Sequence, residues 1–273
     1  MKTWFITGAS SGLGLGMTER LLARGDAVIA TARRMEPLVA LSEQYADRLQ
    51  LVPLDVTDTA AVRRVVDEAF AVHRIDVVVS NAGYGLFGAA EEVSDTQIDR
   101  QIATNLTGSI QLIRAVLPHL RAQGGGRVLQ VSSEGGQIAY PSFGLYHATK
   151  WGIEGFVEAV AQEVAPFGIS FTLIEPGPTG TGFASAVDMA PAQAAYDATP
   201  AGALRHAVTS GAFELVGDAD RTVAAMIAAG DAAEPTRRVA LGSTAYQSIE
   251  RALTARLAEL RAQRDIAFSA DRD

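Results

Sequence analysis

The sequence predicts an α/β fold in which a doubly wound, mostly parallel sheet of about seven strands carries helices on both faces. Short apolar runs without polar alternation recur along the chain, as expected for strands that are buried on both sides. Segments with apolar residues at every third or fourth position, typical of amphipathic helices, separate these runs. Because no linker or internal repeat interrupts this order, we predict one domain over residues 1–273.

The predicted elements follow one another in a regular order. The first strand, at 3–7, leads through a glycine-rich turn into a helix that ends near residue 24. This alternation of strand and helix is typical of a dinucleotide-binding, Rossmann-like fold. The further strands are predicted at 27–32, 49–54, 75–80, 127–131, 169–174 and 238–242, and the further helices at 36–46, 59–72, 94–121, 146–164, 218–229 and 244–264.

The composition excludes several functions. The chain has no cysteine and only four scattered histidines, so we predict no disulfide, thiolate nucleophile or metal site. A net charge of −8 and a pI near 5.1 argue against a nucleic-acid or anionic-membrane surface. We find no charged leader before a long apolar run and no stretch of 18 apolar residues, so we expect a cytoplasmic protein with no membrane partner.

Glycines crowd the turn that follows the first strand, in the segment Thr7 to Gly14. Such a turn lets a pyrophosphate approach the backbone, and the unpaired N–H groups of the next helix attract the anion. The spacing is GxxxGxG, which differs from GxGxxG, and no Lys-Ser or Lys-Thr follows as in a P-loop. We predict a phosphate-binding loop; a glycine-rich turn without a ligand is the alternative.

The residues after the second strand indicate which dinucleotide is bound. In NAD-specific sites an acidic residue about 20 positions after the glycines binds the ribose hydroxyl. Here the strand ends at Ala32, and Arg33 and Arg34 follow. A guanidinium binds a 2′-phosphate through paired hydrogen bonds, whereas a carboxylate repels it. We therefore predict NADP(H), bound by Arg33 with help from Arg34 and Ser10; two solvated arginines and NAD are the alternative.

A tyrosine and a lysine four residues apart form the candidate catalytic pair. Tyr146 and Lys150 share one face of a predicted helix. A nearby ammonium should lower the tyrosine pKa, so that the phenol can exchange a proton with an alcohol or a developing alkoxide. Ser133 follows a predicted strand end, where ligands bind in parallel sheets, and could hold the substrate oxygen. Its neighbour Ser132 is an alternative, and either serine could instead cap a turn.

Taken in order, these motifs resemble the short-chain dehydrogenase/reductase family, in the branch with TGxxxGxG and YxxxK motifs, over residues 3 to about 182. The resemblance implies a proton relay that includes Asn105, a substrate-orienting Ser133, Tyr146 as the acid/base, and Lys150 as a further ligand of the nicotinamide ribose. In addition to the glycine loop and the two arginines described above, it implies residues that contact the adenine ring, residues that line the cofactor cleft and residues that hold the nicotinamide carboxamide. The expected cofactor residues are Gly8, Ser10, Ser11, Gly12, Leu13, Gly14, Arg33, Arg34, Asp55, Val56, Asn81, Ala82, Gly83, Tyr146, Lys150, Pro176, Gly177, Thr179 and Thr181.

Several of these residues also have a purely structural explanation. Asp55 could cap a helix, and Asn105 could bond to backbone. Ser11 stands where many NADP-preferring members carry a basic residue, which leaves Arg33 as the main discriminator. Glu134 could face the substrate pocket or solvent. His147 lies about 100° around the helix from Tyr146, so we expect a non-catalytic role.

A loose region over about 182–215 is predicted to form a lid and pocket wall. Its large apolar residues would suit a lipophilic ketone or alcohol, although ordinary packing explains them equally well. A charged C-terminal helix over about 244–264 should cover a sheet edge or the pocket. The apolar residues expected at the pocket are Phe183, Met189, Tyr196, Leu204 and Phe213 of the lid, with Gln137, Tyr140 and Phe143 beside them.

The sequence thus predicts an NADP(H)-dependent oxidoreductase that interconverts a small-molecule carbonyl and an alcohol. In the family, helices matching 94–121 and 146–166 commonly pair between subunits, which implies a homodimer or homotetramer. A lyase or epimerase on the same scaffold is the first alternative, disfavoured by the intact Asn-Ser-Tyr-Lys set. A non-enzymatic NADP-sensing protein is the second, disfavoured because both Tyr146 and Lys150 are present.

Overall fold

A computed structural model describes residues 1–183 and 186–272. Its centre is a seven-stranded parallel sheet, which confirms the predicted α/β class. The strands are β1 Thr3–Thr7, β2 Ala27–Ala32, β3 Leu49–Pro53, β4 Val77–Ser80, β5 Leu86–Phe87, β6 Gly126–Val131, β7 Ile169–Pro176, β8 Asp188–Met189 and β9 Arg238–Leu241. The sheet order is β3-β2-β1-β4-β6-β7-β9, and β5 pairs with β8 in a separate small sheet.

The helices alternate with the strands and cover both faces of the sheet. They are α1 Gly12–Ala23, α2 Val39–Gln44, α3 Thr59–Val72, α4 Asp95–Ile102, α5 Gly108–Ala122, α6 Gly144–Val164, α7 Pro200–Thr209, α8 Ala219–Asp231, α9 Ser243–Ala262 and α10 Arg264–Phe268. None of the helices in the described part of the chain combines the length and apolarity that a bilayer crossing needs.

The strands are apolar throughout because each of their faces packs on a separate core. In β1, Phe5 packs with the apolar residues of α3, α5 and α6, while Trp4 and Ile6 pack with those of α1 and α8. All three side chains are fully buried. Successive side chains of a strand point to opposite faces, so a strand between two helix layers carries no polar alternation.

The long helix predicted over 94–121 is divided in the structure. Ser94 caps α4 through a reciprocal pair of hydrogen bonds with Gln97. A π-helical turn, Ala103–Thr107, then joins α4 to α5. A π turn adds one residue without breaking the run of apolar contacts, so the sequence pattern does not reveal it.

The order of the strands indicates which edge of the sheet binds a ligand. The chain runs from β1 through β2 to β3 on one side of β1 and then crosses to β4 on its other side, which makes a topological switch point at β1 and β4. Ligands of open α/β sheets bind in the crevice outside the carboxyl ends of the strands at such a point. The carboxyl ends of β1, β4, β6 and β7 carry most of the residues singled out from the sequence.

Candidate active site

The glycine loop after β1 has a backbone that only glycine adopts easily. Gly8 and Gly12 have φ angles of +66° and +52°, in the left-handed region. A Cβ on Gly14 would lie 2.3 Å from the carbonyl oxygen of Gly8 and 2.6 Å from Asn81 Nδ2. Asn81 Nδ2 in turn donates to the carbonyls of Thr7, at 2.9 Å, and Gly8, at 3.2 Å. The loop is therefore held from beneath by the end of β4.

The N-terminus of α1 is open toward a cleft at this edge of the sheet. Ser11 occupies the N-cap position in an extended conformation, and its side chain does not cap the helix. The first N–H groups of α1 therefore receive no hydrogen bond acceptor from the Ser11 side chain, and they carry the positive end of the helix dipole. Ser11, Gly12 and Leu13 line the cleft together with Gly8. This cradle fits the pyrophosphate of a dinucleotide; Ser10 and Gly14 lie outside the cleft lining.

The adenine end predicted from the sequence lies on the surface at the ends of β2 and β3. Arg33, Arg34 and Asp55 are exposed, and Val56 is buried. Burial raises the pKa of Asp55, but hydrogen bonds from Thr57 and the Arg33 charge outweigh it, so the pKa lies below its ordinary value. Neither arginine side chain forms a hydrogen bond or ion pair with a described residue. Both guanidiniums can therefore take an anionic ligand.

Tyr146 and Lys150 meet in the cleft as the helical spacing predicts. Lys150 Nζ lies 5.5 Å from the centre of the Tyr146 ring and donates to the carbonyl of Val131 at 3.0 Å. Both residues line the cleft together with Ser133. Ser133 Oγ accepts a hydrogen bond from the N–H of Gly135 at 3.1 Å, and it donates a long bond to the Pro176 carbonyl at 3.5 Å. Helix α6 and the end of β6 thus bring the three predicted catalytic groups together.

The electrostatics of the pair differ from the expectation. Burial raises the pKa of Tyr146 to about 12; a hydrogen bond with Ser133 opposes the rise and the Glu134 carboxylate adds to it. Burial also lowers the pKa of Lys150 to about 8, against the attraction of Glu154. The net pKa of Tyr146 therefore lies above its ordinary value and not below it, as we had expected. The reason is that burial penalises both charged forms, phenolate and ammonium, at once.

Asn105 lies in the π-helical turn and is almost fully buried. Its Oδ1 accepts from the N–H of Tyr84 at 3.1 Å, and its Nδ2 donates to the Tyr84 carbonyl at 2.8 Å. It is not among the residues that line the cleft. The Asn105 side chain thus bonds to backbone, as the structural alternative proposes, and supports the segment that follows Asn81-Ala82-Gly83. A part in a proton relay stays a prediction.

The carboxamide segment predicted from the resemblance borders the same cleft. Pro176, Gly177, Thr179 and Thr181 all line it. Gly177 is fixed by its N–H, which donates to the carbonyl of Leu241 at 2.9 Å. Thr179 Oγ1 donates back to the Gly177 carbonyl at 2.8 Å. The segment is thereby shaped into a turn against β9.

The remaining cleft wall, around a cavity of about 310 Å³, is largely apolar. The ring of Phe183 lies 5.9 Å from the ring of Tyr146, centre to centre. Of the residues expected at the pocket, Phe183, Phe213, Tyr140 and Phe143 line the cleft, and Met189, Tyr196, Leu204 and Gln137 do not. Long-range contacts hold three of these four residues elsewhere: β8, which contains Met189, pairs with β5, Tyr196 Oη donates to Glu91, and Gln137 Nε2 donates to Glu175. Leu204 lies on α7. Phe87, Val187, Val208 and Leu215 also line the wall.

Two ionisable residues, His147 and Glu134, lie beside the predicted catalytic pair. His147 Nδ1 faces the Gly135 carbonyl at 3.0 Å, and Nε2 accepts from the N–H of Tyr140 at 2.9 Å. Both ring nitrogens are thus occupied by backbone, which agrees with a non-catalytic role. Glu134, left open by the sequence, is 2% exposed and borders the cleft.

Comparison with known proteins now identifies the family. A family model described as short chain dehydrogenase matches residues 2–192. The chain belongs to this family of oxidoreductases. It is 44% identical, over 72% of its length and 73% of the relative's, to oxidoreductase BOA17 of Botryotinia fuckeliana. It is 36% identical to human 17-beta-hydroxysteroid dehydrogenase type 1, over 65% of this chain and 57% of that protein.

Solved structures agree. A short-chain dehydrogenase from Streptomyces avermitilis superposes with a TM-score of 0.91 and 36% identity, over 99% of this chain and 100% of the other. A short chain dehydrogenase from Burkholderia cenocepacia, crystallised in complex with NADP, has a TM-score of 0.75 and 25% identity over 96% and 98% of the two chains.

This short-chain dehydrogenase also has a buried ionic cluster next to the predicted catalytic residues, which the sequence pattern did not predict. Glu154, one turn beyond Lys150 on α6, accepts from Ser132 Oγ and from Arg238, both at 2.5 Å. Arg238 also donates to Glu175 at 2.6 Å. The only signal in the sequence was the spacing of four residues between Lys150 and Glu154. The cluster ties the strand end beside Ser133 to the helix that carries Tyr146.

Proposed function

We propose that this short-chain dehydrogenase is an NADP(H)-dependent enzyme that interconverts a carbonyl and a primary or secondary alcohol, with Tyr146 as the acid/base. The observation that carries the proposal is the meeting of Tyr146, Lys150 and Ser133 in the cleft that also contains the glycine loop. Proton donor, cation and phosphate cradle therefore face one space of about 310 Å³.

Groups suited to bind the phosphates of a dinucleotide support the cofactor part of the proposal. The loop of Gly8 and Gly12 and the uncapped start of α1 would hold the pyrophosphate. Arg33 and Arg34 would hold a 2′-phosphate, and a strand that ends in Ala32 presents no carboxylate to repel it. The bound dinucleotide supplies or accepts the hydride.

The protein residues manage the substrate oxygen and its proton. Ser133 Oγ orients the oxygen by a hydrogen bond. Tyr146 donates its proton to that oxygen as negative charge develops, and takes a proton back in the reverse direction. A phenol with a pKa near 12 keeps its proton at neutral pH, which favours the role of donor in carbonyl reduction. The Lys150 cation stabilises the phenolate that remains.

The apolar wall supports a lipophilic substrate. Phe87, Phe143 and Phe183 line the phenol side of the cleft, where a lipophilic substrate packed against them would exclude water from the reacting atoms. Exclusion of water strengthens the electrostatic interactions of the Lys150–Tyr146 pair.

The test is the consumption of NADPH and, separately, NADH over a panel of ketones, aldehydes and quinones. We expect oxidation of NADPH with at least one class of carbonyl, and slower oxidation of NADH. Substrate conversion without net cofactor turnover would instead indicate a lyase or epimerase, and tight NADPH binding with no conversion would indicate a sensing protein.

A further inference from the structure

The carboxyl of Glu134 is the least satisfied acidic group at the cleft. Glu134 directly follows Ser133 and starts a 3-10 turn, Glu134–Gly136, at the end of β6. The residue is 2% exposed and is among those that line the cleft. Oε1 accepts a hydrogen bond from Tyr140 Oη at 2.5 Å. Oε2 is buried and has no hydrogen-bond partner within the described residues.

The other buried glutamates nearby are treated differently. Glu154 and Glu175 are 3% and 1% exposed, and each forms an ion pair with Arg238. Glu134 has no ion pair with any residue in the described ranges, and His147 beside it is occupied by backbone. Burying a carboxylate with one acceptor site unfilled is costly, and that cost disappears when a donor arrives. Since Glu134 alone of the three borders the cleft, a cleft ligand is the available donor.

We propose that Glu134 is a substrate-binding residue whose carboxyl accepts a hydrogen bond from a hydroxyl or ammonium group that the substrate carries in addition to its reacting oxygen. The proposal rests on the proposed function of the same cleft. It narrows the substrate from any lipophilic carbonyl compound to one with a donor close to the reacting carbon, because Glu134 is the chain neighbour of Ser133.

The surroundings of Glu134 fit this role. Tyr140 keeps its own proton, because burial and the Glu134 carboxylate both raise its pKa, so its hydroxyl remains a donor to Oε1. Burial is the main cause of the raised pKa of Tyr146, and the Glu134 charge adds to it. A donor on Glu134 would reduce this effect, so that a correctly substituted substrate would ease proton release by Tyr146 as well as bind more tightly.

The test uses matched aryl ketones that differ at the carbon next to the carbonyl: unsubstituted, hydroxy, methoxy and amino acetophenone. The methoxy compound resembles the hydroxy compound in shape and lacks the donor. Hydrogen bonds to charged groups contribute about 1.5–3 kcal/mol, or roughly 10- to 150-fold. We therefore expect kcat/KM for the hydroxy compound to exceed that for the methoxy compound by about tenfold or more; the amino compound shows whether a cation is preferred to a neutral donor.

The Glu134→Gln variant tests directly whether the carboxyl oxygen accepts this hydrogen bond. With Tyr140 still donating to the amide oxygen, the amide NH₂ takes the place of Oε2 and donates instead of accepting. The hydroxy preference should vanish or turn into a methoxy preference. The same substitution at Glu175, which is buried but does not line the cleft, should leave the preference ratio as in the parent.

A second measurement separates this proposal from the proposed function. The rise in melting temperature caused by each ketone in the presence of NADPH reports binding without turnover. A Glu134-dependent hydroxy preference in binding with no turnover would uphold the proposal and contradict the function. Turnover with equal hydroxy and methoxy values, a methoxy preference in the parent, or no binding of any compound would overturn the proposal.

Discussion

The two sides of the β6 end differ in how completely their polar groups are paired. Behind the strand, Glu154 and Glu175 both bond to Arg238, so each acid has a cation. Glu154 also accepts from Ser132, a residue that borders the cleft. On the cleft side, Lys150 donates to a backbone carbonyl and lies over the ring of Tyr146. Only one of the two Glu134 carboxyl oxygens has a hydrogen-bond partner within the described residues. Neighbouring residues at the end of β6 thus contribute both to the buried ionic cluster and to the cleft.

This difference distinguishes groups that maintain the structure from groups that can bind a ligand or exchange a proton. A fully paired buried cluster fixes geometry, because removal of one member leaves an uncompensated charge. Incompletely paired groups are available to a ligand and have shifted proton affinities, as is common at functional sites. Variants on the cleft side should therefore lose activity and keep the fold, and variants behind the strand should lose stability.

The largest expected effect is in Tyr146→Phe, which removes a proton donor and almost nothing else. Acid–base groups contribute about 10²- to 10⁴-fold, so we expect kcat to fall by that factor while NADPH binding is kept. Steady-state kinetics and titration of NADPH binding measure the two effects. Tyr246→Phe, on an exposed face of α9, is the control and should keep full activity. Normal turnover in Tyr146→Phe would end the assignment of the acid/base.

Arg238→Met tests the opposite side of the comparison. It leaves Glu154 and Glu175 buried without their cation, which should cost about 3–5 kcal/mol of unfolding free energy. Urea denaturation measures the loss. Arg264→Met removes a surface ion pair with Asp265 and should change stability by less than about 1 kcal/mol. Equal stability of the two variants would show that the cluster does not hold the strand end.

Arg33→Ala extends the comparison to Arg33 and Arg34, which have no ion pair within the described residues, at the far end of the proposed cofactor site. Loss of a charge-assisted hydrogen bond worth about 1.5–3 kcal/mol should weaken NADPH binding roughly 10- to 150-fold and leave NADH binding nearly unchanged. Dissociation constants for both dinucleotides provide the measurement. Arg63→Ala, at an exposed arginine on α3, is the matched control. Equal thermal shifts of the parent protein by NADH and NADPH would contradict the cofactor preference.

The smallest expected effect concerns the pH dependence of stability. Burial lowers the pKa of Lys150 from 10.5 to about 8, so between these values the unfolded chain binds this proton more readily than the folded one. The free energy of unfolding gained from this group therefore rises with pH from about 8 to 10.5 and is constant outside that window. The rise is on the order of 1–3 kcal/mol. Urea curves of the parent and Lys150→Met, compared at pH 8 and 10, should differ by this amount; parallel pH profiles would contradict it.

Much of the site could be predicted because its signals are local. The glycine loop, the four-residue spacing of Tyr146 and Lys150, and the serine after a strand each depend on a few neighbouring residues and on where parallel strands end. The pocket wall could not be predicted as well. Phe183 and Phe213 reach the cleft but Met189 and Tyr196 do not, because β8 pairs with β5 and Tyr196 bonds to Glu91.

The sequence by itself determined the strand and helix order, the doubly wound sheet and the placement of Tyr146 and Lys150 on one helix face, since periodicity and short motifs are properties of adjacent residues. Only the tertiary structure decided that Glu134 is buried with one oxygen unpaired, that Arg238 bonds to Glu154 across 84 positions, and that the Tyr146 pKa rises instead of falling. These three depend on burial and on charges brought together from distant strands, and no local pattern encodes how deeply a group is removed from water.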